Sequence, residues 1–185
     1  MTSQKKHQNF FSIFILTFLL LISTAAMANK SVYGYLEPVT LAPNKATLTA
    51  KLDTGAETAS ISATDIQLYE KEGEEYVKFN VSHPEIKQAL RYDLPIVKHT
   101  RIKKRATEIT KTKQNHSRPV VRMQIYFDGK PHKIMVNLID RSHFSTPMLL
   151  GRKALEKVGA IVDSTVENTL LSKNENAEKR IKKPL

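Results

Sequence analysis

Apolar residues in this chain recur in short runs of period two, set between turn residues. Tyr76-Val77-Lys78-Phe79-Asn80-Val81 alternates along its whole length, and the runs Val120–Phe127 and His132–Ile139 flank an Asp128-Gly129 pair. Period-two alternation buries one face of a β-strand. Asp-Gly suits the two-residue turn that joins antiparallel neighbours. Further extended runs are expected at Ser31–Leu36, Ala46–Leu52, Ala59–Ala63, Asp65–Tyr69, Arg91–Ile96, 96–102 and Ala160–Val162, with a hairpin turn centred on Gly73. The helical signal is short: Lys153–Val158 places Ala154, Leu155 and Val158 on one face, and Gly159 stops it. The pattern predicts a mostly β domain, a small barrel or sandwich with one short helix.

The run Ala46–Leu52 delivers a single carboxylate, Asp53, into the turn Asp53-Thr54-Gly55-Ala56. A carboxylate at a strand-to-turn junction is fixed yet reachable, as an acid–base catalyst must be. Three residues also recur by chance, so the triplet equally describes a polar turn closing a strand.

A second motif separates the two readings. Met148-Leu149-Leu150-Gly151-Arg152 places an apolar pair and Gly-Arg before the short helix, 98 positions after Asp53. With the hairpin Val120–Ile139 lying between, the chain resembles the retropepsin-like aspartic proteases. It is most similar to a bacterial branch labelled an ATP-dependent zinc protease. The similarity runs from about Tyr33 to Asp163, through Lys51–Ala56, Tyr76–Phe79, Arg118–Arg122, Asp140-Arg141 and Leu149–Arg152. Glu57 stands where that branch often has Arg or Lys.

The resemblance implies a small closed acid-protease barrel with a C-terminal helix, and an aspartic endopeptidase with Asp53 as its catalytic residue. Thr54, Gly55 and Ala56 would form the active-site loop. Aspartic proteases need two carboxylates sharing one proton. Asp163-Ser164-Thr165 lacks the Gly of a second copy, so a homodimer is expected, with Asp53 of each chain at the two-fold axis. Thr54 would hydrogen-bond across that axis, and the Gly55 backbone would line the substrate groove. Glu57 and Arg152 are expected to pair as a brace beside Gly151. Asp140 and Arg141 are candidates for substrate contact or for a local ion pair. A flap would fall between Tyr69 and about Arg105.

Charge adds a substrate expectation. The formal net charge is +11, and residues 87–122 hold eleven Lys and Arg against Asp93 and Glu108. Lys98, Arg101, Lys103 and Lys104 in this window are expected to flank the groove and favour acidic peptides. A solvated basic strand fits the same composition. Nucleic acid is not expected, because Tyr92 is the window's one aromatic and stacking platforms are missing.

Other chemistries lack their motifs. The chain has no Cys, and its six His show neither His-Glu-x-x-His nor helical ligand spacing, so no metal is expected. His83, His99 and His116 read as surface residues. There is no phosphate-binding Gly-x-x-x-x-Gly-Lys-Ser/Thr, hence no cofactor is expected, and no Gly-x-Ser-x-Gly. A non-catalytic module holding a peptide or an envelope polymer on the same fold is the alternative function.

The N-terminus reads as a targeting segment. Lys5 and Lys6 precede the apolar run Phe10–Ile22, and Ala26-Met27-Ala28 ends it. That is the build of a signal peptide over 1–28, directing the chain to the periplasm or outside the cell. The uncharged stretch 8–28 would alternatively anchor it in a membrane. The protease domain is expected over 29–170, followed by a disordered charged tail over 171–185.

Overall fold

Two turns with positive φ fold the chain back on itself. Glu72 and Gly73 have φ of 55° and 79°, and Asp128 and Gly129 have 49° and 70°. Those angles match the right-handed twist of the strands they join. The computed structural model describes residues 30–101 and 117–173. Its strands are β1 (Ser31–Gly34), β2 (Leu36–Leu41), β3 (Ala46–Asp53), β4 (Ala59–Lys71), β5 (Glu74–Val81), β6 (Leu90–Arg101), β7 (Ser117–Phe127), β8 (Lys130–Ile139), β9 (Met148–Gly151) and β10 (Ala160–Asp163). Helix α1 (Arg152–Val158) lies between β9 and β10 and ends on Gly159 at φ 69°.

The main sheet runs β2-β3-β9-β4-β5-β6-β7-β8, and β4–β8 and β2–β7 pairings bring it round on itself. The β2–β7 closure uses Thr40 against Tyr126 and Leu41 against Ile125. This mostly β, ring-like sheet with a short helix near its end is the retropepsin-like architecture. β1 and β10 form a separate parallel pair, Ser31 opposite Ala160.

Alternation explains what lies inside. β2 turns Glu37, Val39 and Leu41 inward, and β3 turns Leu48, Ala50 and Leu52 inward. Ile125, Phe127, Ile134, Val136 and Leu138 join them from the β7–β8 hairpin. Burying each such Val, Leu, Ile or Phe side chain contributes about 1.5–3 kcal/mol. The first five residues of β4, Ala59–Ala63, are all buried. From Asp65 onward β4 is largely exposed.

Several elements differ from the sequence expectation. The run Ser31–Leu36 breaks at Tyr35, so β1 and β2 join different sheets. The two expected runs Ala59–Ala63 and Asp65–Tyr69 form one strand. Asp65 takes φ 52°, and the β4–β5 register shifts between Thr64 and Gln67, which lets the strand bend without ending. β2 passes through Pro38, where β3 is its paired neighbour.

Glu37 is the largest departure from pattern. Its carboxylate is fully buried, yet it occupies an inward position of β2 beside Val39. Oε1 accepts from the Gly34 N–H at 2.7 Å, the Thr169 N–H at 3.0 Å and the Thr169 hydroxyl at 2.6 Å; Oε2 accepts from the Leu170 N–H at 3.1 Å. Residues 169–173 are helical, so a side chain from β2 caps a helical turn where the domain was expected to end. Leu170 is buried against the core.

Candidate active site

Asp53 ends β3 because Leu52 is the last inward residue before the turn. Its Oδ1 accepts from the Gly55 N–H at 2.9 Å and the Ala56 N–H at 3.3 Å. One carboxylate oxygen is thereby fixed by the loop it opens. The other, Oδ2, lies 4.0 Å from Nζ of Lys51. The carboxylate is partly exposed, and Thr54 and Gly55 are exposed. The group is therefore held in one orientation with an oxygen available for chemistry.

β9 and the start of α1 hold this loop from beside and below. Asp53 pairs with Gly151 in the parallel β3–β9 ladder. A Cβ at Gly151 would lie 2.6 Å from the Thr58 carbonyl oxygen and 2.8 Å from the Thr58 nitrogen, so only Gly fits. The Arg152 N–H donates to the Ala56 carbonyl at 2.9 Å, and the Lys153 N–H to the Glu57 carbonyl at 3.1 Å. Nη1 of Arg152 then reaches the carbonyls of Thr54 at 3.0 Å and Gly55 at 2.9 Å.

The brace is therefore built differently from the expected Glu57–Arg152 pair. Glu57 pairs with Lys153 at 2.6 Å, while Arg152 serves backbone carbonyls. The cause is the helix start. Consecutive N–H groups at 152 and 153 face Ala56 and Glu57, which aligns Lys153, not Arg152, with the Glu57 side chain. Lys153 holds the Glu57 carboxyl below its ordinary value, with smaller help from Arg152 and Lys98.

Lys98, expected at the groove, thus stands close enough to Glu57 to act on it electrostatically. It also lines a cavity of roughly 450 Å³ between α1 and the β6–β8 face, with Thr58, Asn137, Lys153 and Lys157. Arg101 ends β6. Lys103 and Lys104 lie outside the described residues. The expected flap region maps to the β4–β5 and β5–β6 hairpins as far as residue 101.

Asp140 and Arg141 have separate structural settings. Asp140 accepts from the Ser142 N–H at 2.8 Å, and that bond, with the Ser142 hydroxyl, keeps its carboxyl below the ordinary value. It closes a local turn. Arg141 is buried. Its backbone N–H donates to Ser62 Oγ at 3.1 Å, Nε to the Thr146 carbonyl at 3.1 Å and Nη1 to Ser60 Oγ at 3.0 Å. The Phe144 ring lies 4.5 Å from its guanidinium carbon. Burial pushes the Arg141 guanidinium below its ordinary value, and the Asp53 carboxylate acts in the opposite sense.

His83 is not the surface residue the sequence suggests. It is buried; Nδ1 accepts from the Glu85 N–H at 3.2 Å and Nε2 lies 3.0 Å from the Phe144 carbonyl. With Nδ1 accepting, Nε2 carries the proton and donates to Phe144. His99 bonds Glu75 at 3.1 Å, and His116 lies outside the described residues. The Asp163 carboxylate accepts from the Thr165 N–H and hydroxyl at 2.8 and 2.6 Å, so it caps its own turn. The spacing of the sequence motifs gave no sign of Ser60, Thr146 or His83 as supports of the Arg141 segment.

Known proteins are similar to this chain in sequence and in fold. A crystal structure of a protein of unknown function from Legionella pneumophila superposes with a TM-score of 0.63 and 34% identity, covering 77% of this chain and 99% of that one. A probable alpha-L-glutamate ligase from Desulfotalea psychrophila is 32% identical over 109 residues, 57% of this chain. Another, from Shewanella halifaxensis, is 33% identical over 109 residues. This chain spans 22% of the length of each of these ligases. The profile of the retropepsin-like aspartic endopeptidase RimB matches residues 32–171, the whole of the ring-like sheet and its helix. The chain belongs to the RimB-like family of retropepsin-like aspartic endopeptidases.

Proposed function

We propose that this protein is an endopeptidase that cuts acidic peptides as a homodimer, with one Asp53 from each chain forming the catalytic pair. The observation that carries the reading is the Asp53 turn. One oxygen of its carboxylate is fixed by two backbone N–H groups, and the loop is tied down from behind by Arg152. Preorganisation of this kind is what an acid–base catalyst requires.

Each chain supplies one such carboxylate, and water activation at a peptide bond needs two. Two carboxylates about 3 Å apart cannot both ionise, so the pair holds one proton. The ionised member takes a proton from water, whose oxygen attacks the scissile carbonyl carbon. The protonated member gives its proton to the carbonyl oxygen. Collapse of the tetrahedral species expels the amine, which leaves with a proton from the first carboxyl, while one hydroxyl of that species returns its proton to the second carboxylate and restores the pair. The exposure of Thr54 and Gly55 in a single chain supports a second chain meeting the first at this loop.

Two observations support an acidic substrate. Positive charge is concentrated in residues 87–122, with Lys98 beside the active-site loop. The ligase relatives are named for glutamate, which favours glutamate-bearing peptides among acidic substrates. Export guided by residues 1–28 belongs to the same proposal, and the mature mass of the protein recovered from cells tests it.

The deciding experiment compares residues 29–185 with and without Asp53→Asn on a peptide library containing glutamate-rich members. Turnover by the unchanged chain and its loss in Asp53→Asn, with the dimer intact, supports the reading. Peptide binding without turnover in either form would replace it with a non-catalytic binding module.

A further inference from the structure

Arg141 is a buried cation without an anion. Among the described residues no carboxylate comes within 4.0 Å of its guanidinium, and its two guanidinium hydrogen bonds end on neutral oxygens. A charge taken out of water is costly unless something of opposite sign offsets it. Nothing in the fold obliges β4 and the 140–146 turn to enclose an arginine here, yet four separate contacts fix it. Ser60 and Thr146 hold the fork, Ser62 holds the backbone, and Phe144 covers one face of the plane. Phe144 is itself tied by His83 through its carbonyl, although its ring is half exposed.

Strand register places this cation beside the catalytic carboxylate. Lys51 pairs with Leu149, and Leu149 pairs with Ser60, so the three form one row across β3, β9 and β4. Facing residues in a row present their side chains to the same side of the sheet. Asp53, two residues beyond Lys51, presents to that side as well. Nη1 of Arg141 binds Ser60 at the far end of the row. Asp53 is thus flanked on one sheet face by Lys51 and by Arg141. Arg141 is near enough to feel the Asp53 charge and too far to pair with it.

We propose that Arg141 is the receptor for a substrate carboxylate, a specificity residue that holds an acidic side chain next to the bond being cut. The inference rests on the endopeptidase reading and deepens it. A catalytic pair that shares one proton carries a net negative charge and repels an acidic side chain. Lys51 and Arg141 offset that repulsion, and the planar guanidinium can grip a carboxylate through two parallel N–H bonds. Phe144 keeps the plane from turning. Arg141 touches no reacting atom of the peptide bond in this scheme; it selects.

The test is a binding measurement that needs no turnover. In the Asp53→Asn protein, fluorescence anisotropy follows a labelled hexaglutamate peptide and its hexaglutamine counterpart. Adding Arg141→Gln should weaken the glutamate peptide by about tenfold or more, the scale of losing charge-assisted hydrogen bonds, and leave the glutamine peptide nearly unchanged. Arg141→Lys should recover only part of the loss. If Arg141→Gln does not fold, Phe144→Ala at its half-exposed position should give the same selective weakening to a smaller degree. Equal weakening of both peptides, no weakening of either, or no preference of the Asp53→Asn protein for hexaglutamate would overturn the proposal. Absence of cleavage by the unchanged chain would sink the endopeptidase reading separately, and the binding result would still decide the role of Arg141.

Discussion

Gly151 and Thr58 pass each other with no room for a methyl group between them. The contact is backbone against backbone, so no side chain can swing aside. Gly151→Ala is expected to destabilise the fold by about 1–3 kcal/mol, the usual cost of overpacking, and to push the Asp53 loop out of place. Urea unfolding measures the first effect. A loss below about 0.5 kcal/mol would be that of an ordinary surface change and would contradict the tight passage.

Arg152→Ala removes two hydrogen bonds to the carbonyls of Thr54 and Gly55. The side chain is exposed, so solvent competes and the stability loss should be modest, about 1 kcal/mol. In the proposed mechanism, however, this loop carries the catalytic carboxylate, and small displacements there are costly. Activity should fall by about tenfold or more while the protein stays folded. An undiminished kcat would show that the guanidinium does not hold the loop.

The Glu57–Lys153 pair should make stability depend on pH and salt. Lys153 holds the Glu57 carboxyl below its ordinary 4.5 in the folded chain. A carboxyl with a lowered folded pKa contributes stability above its unfolded value and loses it as pH falls through the folded one. Glu57→Gln should therefore melt lower than the unchanged protein at neutral pH and low salt. The gap should close on acidification below 4.5 and on adding salt. A gap that persists in acid would assign the effect to packing.

Asp53→Asn should abolish peptide cleavage and leave secondary structure unchanged, since an amide oxygen can still accept from the Gly55 and Ala56 N–H groups. In mixed dimers of unchanged and substituted chains, a shared catalytic pair predicts that one substituted chain silences the whole dimer. Half activity from such mixtures, measured at fixed total chain, would mean that each chain works by itself.

Glu37→Ala should be among the most damaging substitutions in the chain. It strands the N–H groups of Gly34, Thr169 and Leu170 and the Thr169 hydroxyl. Each buried donor left without a partner costs about 1–3 kcal/mol, so a loss of at least about 3 kcal/mol is expected in denaturant titration. Early proteolysis near residue 169 should accompany it.

Features set by neighbours in sequence were legible before the structure. Asp128-Gly129 and the Gly73 turn, the alternation in β5, β7 and β8, and the Gly159 helix stop all follow from local backbone preference. The Asp53 turn and Gly151-Arg152 were legible as a pair of motifs. What pairs with Glu57 was not, because Arg152 and Lys153 are adjacent cations and only the entry angle of α1 chooses between them. Glu37 was not, because a glutamate in an alternating strand reads as solvent-facing until partners 132 and 133 positions away are known. His83 was misread for the same reason, its acceptor lying 61 positions on.

The parallel pair of β1 and β10 has a consequence for synthesis. Ser31 finds its partner only when Ala160, far later in the sequence, has been made. Contacts of such long sequence separation form late, and segments waiting for them expose unpaired edges. Until Ala160 has been made, β1 therefore waits with its pairing edge open, a segment that needs protection during synthesis.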